Sequence, residues 1–349
     1  MHTIVESGSS APRPGAAGRA RVAVAGATGY TGQELLRILA RHPAVELTAA
    51  MSSGTTAARK LPALARLWTG EVTPLAPDVL RAADVVFLAL PDAAAAEIAP
   101  ALVDAGVRVV DLSGAFRLAN AEDRARWYPD TRRLPDGVVY GLTELERPRV
   151  AAARLVANPG CYPTAALLAL VPLAQAGLLA PDTDIVIDAK SGVSGAGKTP
   201  SERTHFSECH GSLSAYGVFG HRHGVEIEQA VAAAGGRHAI TFVPHLAPLD
   251  RGILATIYVR LTRGADEAQV ARVLEQAYVA APFVRLTGSS LPEIKHVAHT
   301  NFCDIGWRVD PSGRAVLVSV IDNLLKGASG QAVQNLNVML GVDERTGLW

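Results

Sequence analysis

The sequence predicts an α/β fold in two domains, and three features carry that prediction. A glycine-rich turn joins a short apolar run to an amphipathic helix in "RVAVAGATGYTGQELLRILARHP". Strand-like and helix-like runs then alternate to about residue 160, the pattern of a parallel doubly wound sheet. Beyond Cys161 the runs become longer and β-rich, which fits a second, α+β domain built on a largely antiparallel sheet. A chain of 349 residues is long enough for two cores.

Residues 21–25 form the first strand; Leu35, Leu36 and Leu39 share the next helical face, and Pro43 ends that helix. "AVELTAAMSS" and "ADVVFLALPD" read as the second and third strands, an alanine-rich helix runs to Gly106, and "VRVVDLS" is the strand after it. In the second part "DIVIDAKSG", "HAITFVPHLAPLDRG", "ILATIYVRL" and "RAVLVSVIDN" read as strands, with a helix over 266–281. The final "KGASGQAVQNLNVMLG" is helical and is expected to return to the first domain. The predicted organisation is a disordered tail over 1–18, a dinucleotide-binding Rossmann domain over 19–160 with 326–349, and a catalytic and oligomerisation domain over 161–325.

Thirty-three basic residues balance thirty-three acidic ones, so no nucleic-acid or membrane partner is expected. No apolar run reaches transmembrane length, and the first twenty residues lack the apolar core of a secretory signal. Three scattered cysteines (Cys161, Cys209, Cys303) make no disulfide framework and point to a reducing, cytoplasmic setting.

Gly26, Gly29 and Gly32 form a G-x-x-G-x-x-G turn between strand and helix, where backbone approaches a pyrophosphate and a helix N-terminus faces the anion. The second strand ends without Asp or Glu; Ser52, Ser53, Arg59 and Lys60 suit a 2′-phosphate, favouring NADP over NAD. Cys161 follows an Asn-Pro-Gly bend and precedes a helix expected over 163–176, with Pro163 at its first position and Gly177 as its C-terminal cap. A helix start favours thiolate, although a buried cysteine also serves as a small hydrophobe. "GVSGAGKT" at 192–199 matches a phosphate loop, but Pro200 and the aperiodic residues after it do not read as the required helix. "ECH" and "HRH" match no zinc spacing, so no metal is expected. Instead His223, with Glu226 three residues on to orient it, is the expected acid–base group, with His221 as the alternative. Arg117 and Arg251 each follow a strand-like run and suit a carboxylate or phosphate clamp.

In order along the chain, "GATGYTGQELLRIL", "DLSGAFRL", "NPGCYPTAALLALVP", "SGVSGAGK", "YGVFGHRHGVEI", "FVPHLAPLDRGI" and "DNLLKGASGQAVQNLN" resemble the blocks of the N-acetyl-gamma-glutamyl-phosphate reductase family, relatives of the aspartate-semialdehyde dehydrogenases. The resemblance spans about 21–341. It implies NADPH-dependent reduction of an acyl phosphate, N-acetylglutamyl phosphate, by a homodimeric or homotetrameric enzyme of arginine biosynthesis. By resemblance Cys161 is the nucleophile and the 221–223 segment supplies the acid–base group. It also implies a cofactor site of Gly26, Thr28, Gly29, Tyr30, Thr31, Gly32, Ser52, Ser53, Arg59, Ser191, Gly192, Asn323, Lys326 and Gly327. The implied substrate site comprises Arg117, Asn158, Ser194, Gly195, Tyr216 and Arg251. Two positions depart from the family's usual residues: Ala115 stands where Asp is common, and Val225 where Pro is common. The first leaves the role of Arg117 open. An aspartyl or carrier-linked aminoadipyl phosphate would suit the same apparatus, and a cofactor-sensing protein without catalysis is the remaining alternative.

Overall fold

A computed structural model describes residues 18–52, 54 and 57–349, so nearly all of the expected tail lies outside the described residues. The first part runs β1 (Ala20–Ala25), α1 (Tyr30–Leu39), β2 (Val45–Ser52), β3 (Val72–Pro74), α2 (Pro77–Arg81), β4 (Val85–Leu88), α3 (Asp92–Asp104) and β5 (Arg108–Asp111). It continues through α4 (Ala121–Trp127), β6 (Val139–Tyr140), α5 (Thr143–Ala152) and β7 (Leu155–Ala157). These seven strands form one sheet, ordered β3-β2-β1-β4-β5-β7-β6, and every pairing is parallel. Parallel strands need both faces covered. On β1, Val22 and Val24 enter a core with Leu35 and Leu36 of α1, while Ala23 and Ala25 enter another with Ala95 and Leu102 of α3.

The second part runs α6 (Cys161–Gln175), β8 (Ile185–Gly192), α7 (Phe206–Cys209), β9 (Ser214–Ala215), α8 (Arg222–Ala233), β10 (Ile240–Ala247), β11 (Ile253–Arg260) and α9 (Glu267–Tyr278). Three strands follow, β12 (Val284–Gly288), β13 (Cys303–Val309) and β14 (Arg314–Ile321), then a π-turn over Leu325–Ser329 and the last helix, α10 (Gly330–Leu340). The second sheet is ordered β12-β13-β14-β11-β8-β10-β9. It is mixed: the middle pairings are antiparallel, whereas β8–β10 and β12–β13 are parallel. Parallel neighbours require crossovers, here supplied by α8 and by the long segment between β12 and β13. Helix α10 returns to the first sheet, placing Val333, Leu336 and Met339 in the core beneath α1.

Helix α6 is the spine of the second core: residues Tyr162 to Ala174 are all buried. A helix apolar on every side belongs inside. Its interior Pro172 has no N–H to give the carbonyl of Leu168. The Tyr278 hydroxyl of α9 donates to that carbonyl at 2.5 Å. Gly177, at φ +64°, ends the helix with its N–H on the Ala174 carbonyl, and the Leu178 N–H reaches Leu173.

Candidate active site

The glycine turn is built by sterics. A Cβ on Gly26 would lie 2.0 Å from the Ala89 carbonyl oxygen, and one on Gly32 would lie 2.2 Å from the Gly26 oxygen. Only glycine fits either place. Gly29 differs, since its Cβ would meet nothing nearer than 3.8 Å, so its outward side is open. Gly29 is also the N-cap of α1, with no side-chain cap and no acidic residue in the first turn. The helix therefore presents uncapped N–H groups and the positive end of its dipole, which suits a pyrophosphate. Tyr30 is exposed beside it, Thr28 gives its carbonyl to Gln33, and Thr31 gives its carbonyl to Ser329. Ser52 is buried at the end of β2, and Arg59 is exposed, its backbone bridged to Val72 of β3. Ser53 lies outside the described residues.

Cys161 is the first residue of α6, with Gly160 as N-cap; the helix thus starts two residues before Pro163, which sits harmlessly in the first turn. The backbone N–H groups of Cys161 and Tyr162 help the thiolate, as does the charge of Arg117. Burial outweighs them and pushes the thiol up to about 11. The helix start thus does not by itself bring the thiol into the thiolate range.

The imidazole of His223 lies against Gly160, so closely that a Cβ there would be 2.6 Å from Nε2. His223 is buried in the first turn of α8, and its Nδ1 has no hydrogen-bond partner among the described residues. Burial, His221, Arg117 and Arg222 together hold its proton affinity well below the usual histidine range. His221 is the N-cap of the same helix, its Nδ1 accepting the His223 N–H at 3.0 Å. That bond places the neutral ring's proton on Nε2. Burial and Arg222 lower His221 to about 4. The rings stand 4.8 Å apart, each edge-on to Tyr162. Burial thus disfavours the charged form of the thiol and of both imidazoles.

Glu226 does not orient His223. Its fully buried carboxylate accepts from the Tyr140 hydroxyl at 2.7 Å and the Gly160 N–H at 2.8 Å, and faces Arg117 at 3.5 Å. It fixes the bend that ends in Cys161. Arg117 is correspondingly not an open clamp: Nε donates to the Asn158 carbonyl and Nη2 to that of Leu112. Asn158 is spent too, its Oδ1 accepting from Asn335 and its Nδ2 donating to the Ala328 carbonyl at 3.2 Å. Arg251 donates to Glu34 of α1 at 2.6 Å and to Asp322 at 3.4 Å, joining the two parts instead of waiting for an anion. Lys326 is fully buried, its ammonium bonded to Glu144 and Gln334. These expectations fail for one reason: each polar side chain is matched by a buried partner distant in sequence, which no local pattern displays.

Ser191, Gly192, Ser194, Gly195 and Asn323 do come together. Asn323 donates to Ser194 Oγ at 3.0 Å and accepts the Gly252 N–H at 2.7 Å, and a Cβ on Gly195 would lie 2.9 Å from Ser191 Oγ. The amides of Gly192, Val193 and Ser194 already bond carbonyls at 249–252, so they are not anion donors. No helix runs on from Lys198, which is exposed; bends and coil lead instead to short turns at 202–209. That excludes the phosphate-loop alternative. Tyr216 meets the Tyr162 hydroxyl at 3.2 Å and the His221 ring at 5.6 Å.

The description "Semialdehyde dehydrogenase, NAD binding domain" matches residues 21–153, and "Semialdehyde dehydrogenase, dimerisation domain" matches residues 161–323. A protein of Akkermansia muciniphila named N-acetyl-gamma-glutamyl-phosphate reductase is 47% identical over 346 residues, covering 94% of this chain and 98% of its own length. One of the same name from Brevibacillus brevis is 45% identical over 338 residues, with 94% and 97% covered. The chain belongs to the N-acetyl-gamma-glutamyl-phosphate reductase family. Among solved structures, aspartate semialdehyde dehydrogenase II of Vibrio cholerae complexed with ASA has a TM-score of 0.71 at 19% identity, covering 93% of this chain and 98% of that one. Aspartate semialdehyde dehydrogenase with NADP from Candida albicans has a TM-score of 0.70 at 16% identity, covering 92% and 98%. At such identities the likeness is one of fold. Among the described residues no helix is long and apolar enough to cross a membrane.

Membership makes the chain an oxidoreductase whose first domain takes a nicotinamide dinucleotide, which fits the uncapped start of α1. Sequence reasoning missed Tyr140 and Tyr162, which carry no local signal beyond adjacency to a motif. It also missed Asp92, which ties the Gly114 amide and Arg222, next to His223, into one cross-domain contact at 2.6 and 2.7 Å.

Proposed function

We propose that this protein reduces N-acetylglutamyl 5-phosphate to the 5-semialdehyde with NADPH, releasing phosphate, as a cytoplasmic homo-oligomer. The observation that carries the reading is Cys161 at the open end of α6 with the His223 ring against the preceding residue. His223, neutral at rest, takes the thiol proton as sulfur attacks the acyl carbon, and phosphate leaves as a thioester forms. Burial makes the base necessary, because a thiol near 11 is almost wholly protonated at neutral pH. Gly26, Gly29, Gly32 and the first turn of α1 would hold NADPH, which when bound would supply the hydride that brings the acyl carbon to the aldehyde level. His223 gives its proton to the acyl oxygen and recovers it as the aldehyde departs, and sulfur is reprotonated for the next turnover. His221, held in its Nε2–H form, donates a hydrogen bond to the substrate. Preference for NADP over NAD is supported by Arg59 and Lys60, both exposed beyond β2, and by the lack of an acidic residue at that strand's end.

The test runs the reaction backwards. Phosphate-dependent reduction of NADP is measured with N-acetylglutamate semialdehyde and with aspartate semialdehyde. Turnover with the first and little with the second is expected; the reverse preference would reassign the substrate, and no turnover with either would end the proposal.

A further inference from the structure

The π-turn Leu325–Ser329 touches three parts of the site at once. Gly327 faces the nucleophile so closely that a Cβ there would lie 2.8 Å from Cys161 Cβ. The Ala328 carbonyl accepts from Asn158, three residues before Cys161. The Ser329 hydroxyl donates at 2.9 Å to the Thr31 carbonyl, in the first turn of the dinucleotide helix α1. The turn itself closes with wide bonds, from the Gly327 N–H to Asp322 and from the Ser329 N–H to Leu324. Such turns are rare and persist where their surroundings enforce them, frequently at functional sites.

What enforces this one is a buried charge. Lys326 and Glu144 both have fully buried side chains, 2.5 Å apart. Gln334 accepts from Lys326 at 2.7 Å and donates to the same Glu144 oxygen at 2.8 Å, and Asn301 donates to Gln334 at 3.1 Å. Glu144 lies on α5 of the first part and Gln334 on α10, so the ammonium binds the turn to two helices of the other sheet's core. Stability alone does not account for it, because apolar residues of similar volume commonly replace a buried ion pair without loss.

We propose that the Lys326–Glu144 pair is a positioning device: it pins the π-turn so that Gly327 seats Cys161 and Ser329 seats α1, setting the nucleophile at a fixed place relative to the dinucleotide. Lys326 acts only through the turn. The inference rests on Cys161 being the nucleophile, as in the proposed function.

The experiment compares the full chain with Glu144→Leu/Lys326→Met in a Cys209→Ser background; the remaining third cysteine, Cys303, is fully buried. Four quantities are read: the thermal midpoint, NADPH binding by fluorescence, the rate and pH profile of Cys161 alkylation by iodoacetamide, and kcat with KM. The apolar pair is expected to restore a midpoint that Lys326→Met alone lowers, and to bind NADPH. It should still shift the alkylation profile and lower kcat about 10²-fold with little change in KM, the cost of a small misplacement. Wild-type alkylation and kcat in the double variant would overturn the proposal. Should that variant not fold, Gln334→Met removes one acceptor and keeps the pair; a smaller shift of alkylation in the same direction supports the device, and none overturns it. Alkylation needs no substrate, so it reports on the device even if the substrate assay reassigns the substrate, whereas an active Cys161→Ser variant would remove its premise.

Discussion

The two ends of the site are built in opposite ways. At the dinucleotide end, glycines clear space for backbone, α1 begins without a cap, and Arg59 and Lys60 stand in solvent. At the thiol end, nearly every charged group is buried and already bonded: Arg117 to carbonyls and Glu226, Glu226 to an amide and a tyrosine, Lys326 to Glu144. One end offers groups to a ligand. The other uses its charges on itself, to hold a cysteine and an imidazole in place while both stay neutral. Preorganisation of this kind costs nothing at the moment of reaction.

The sharpest break in that contrast is Cys161→Ser. It should retain the fold and NADPH binding while turnover falls by orders of magnitude, because serine offers no comparable nucleophile. Assaying both properties on one sample checks this; turnover near wild type would remove the covalent step. Next comes His223→Asn, expected to cost about 10²–10⁴-fold in kcat. His221→Asn should chiefly raise KM. If the two variants exchange these effects, the roles of the two rings are exchanged.

The third concerns pH. Burial disfavours the charged thiolate, so substrate-free Cys161 should react with iodoacetamide about 10²-fold more slowly at neutral pH than an unperturbed thiol at 9.0. The rate should climb about tenfold per pH unit toward 11. By linkage, the raised value favours folding below the unfolded thiol's pKa, and that contribution is lost as pH rises through the folded one. A rate plateau below pH 8 would contradict the neutral resting pair. The smallest effect belongs to the open end: Arg59→Ala/Lys60→Ala should weaken NADP binding about tenfold and leave NAD binding nearly unchanged, as befits exposed charges. Equal losses would show that these residues do not read the 2′-phosphate.

Sequence reasoning served the two ends unequally. The glycine turn, the strand alternation and the cysteine at a helix start are local patterns, and β1, α1, β4 and α6 lie where those patterns place them, with α6 begun two residues early. Short strands such as β6, β7 and β9 carry too few residues for any periodicity, and β13 was hidden in the mixed run "NFCDIGWRVD". Arg117, Asn158, Arg251 and Lys326 looked like ligand-binding groups because their partners Glu226, Asn335, Glu34 and Glu144 are more than a hundred residues away. A polar residue's role depends on whether a partner reaches it first, and that is a property of topology.

The return of α10 to the first sheet has a consequence for how the chain is made. His42, just beyond α1, bonds Asn337 across 295 positions, and Val333 and Leu336 fill the layer beneath α1. Until α10 has left the ribosome, the glycine-turn half lacks the helix that covers this apolar face. Helix α10 must be made before that half can close, which leaves the half dependent on slow, long-range docking and vulnerable to termination or cleavage ahead of α10.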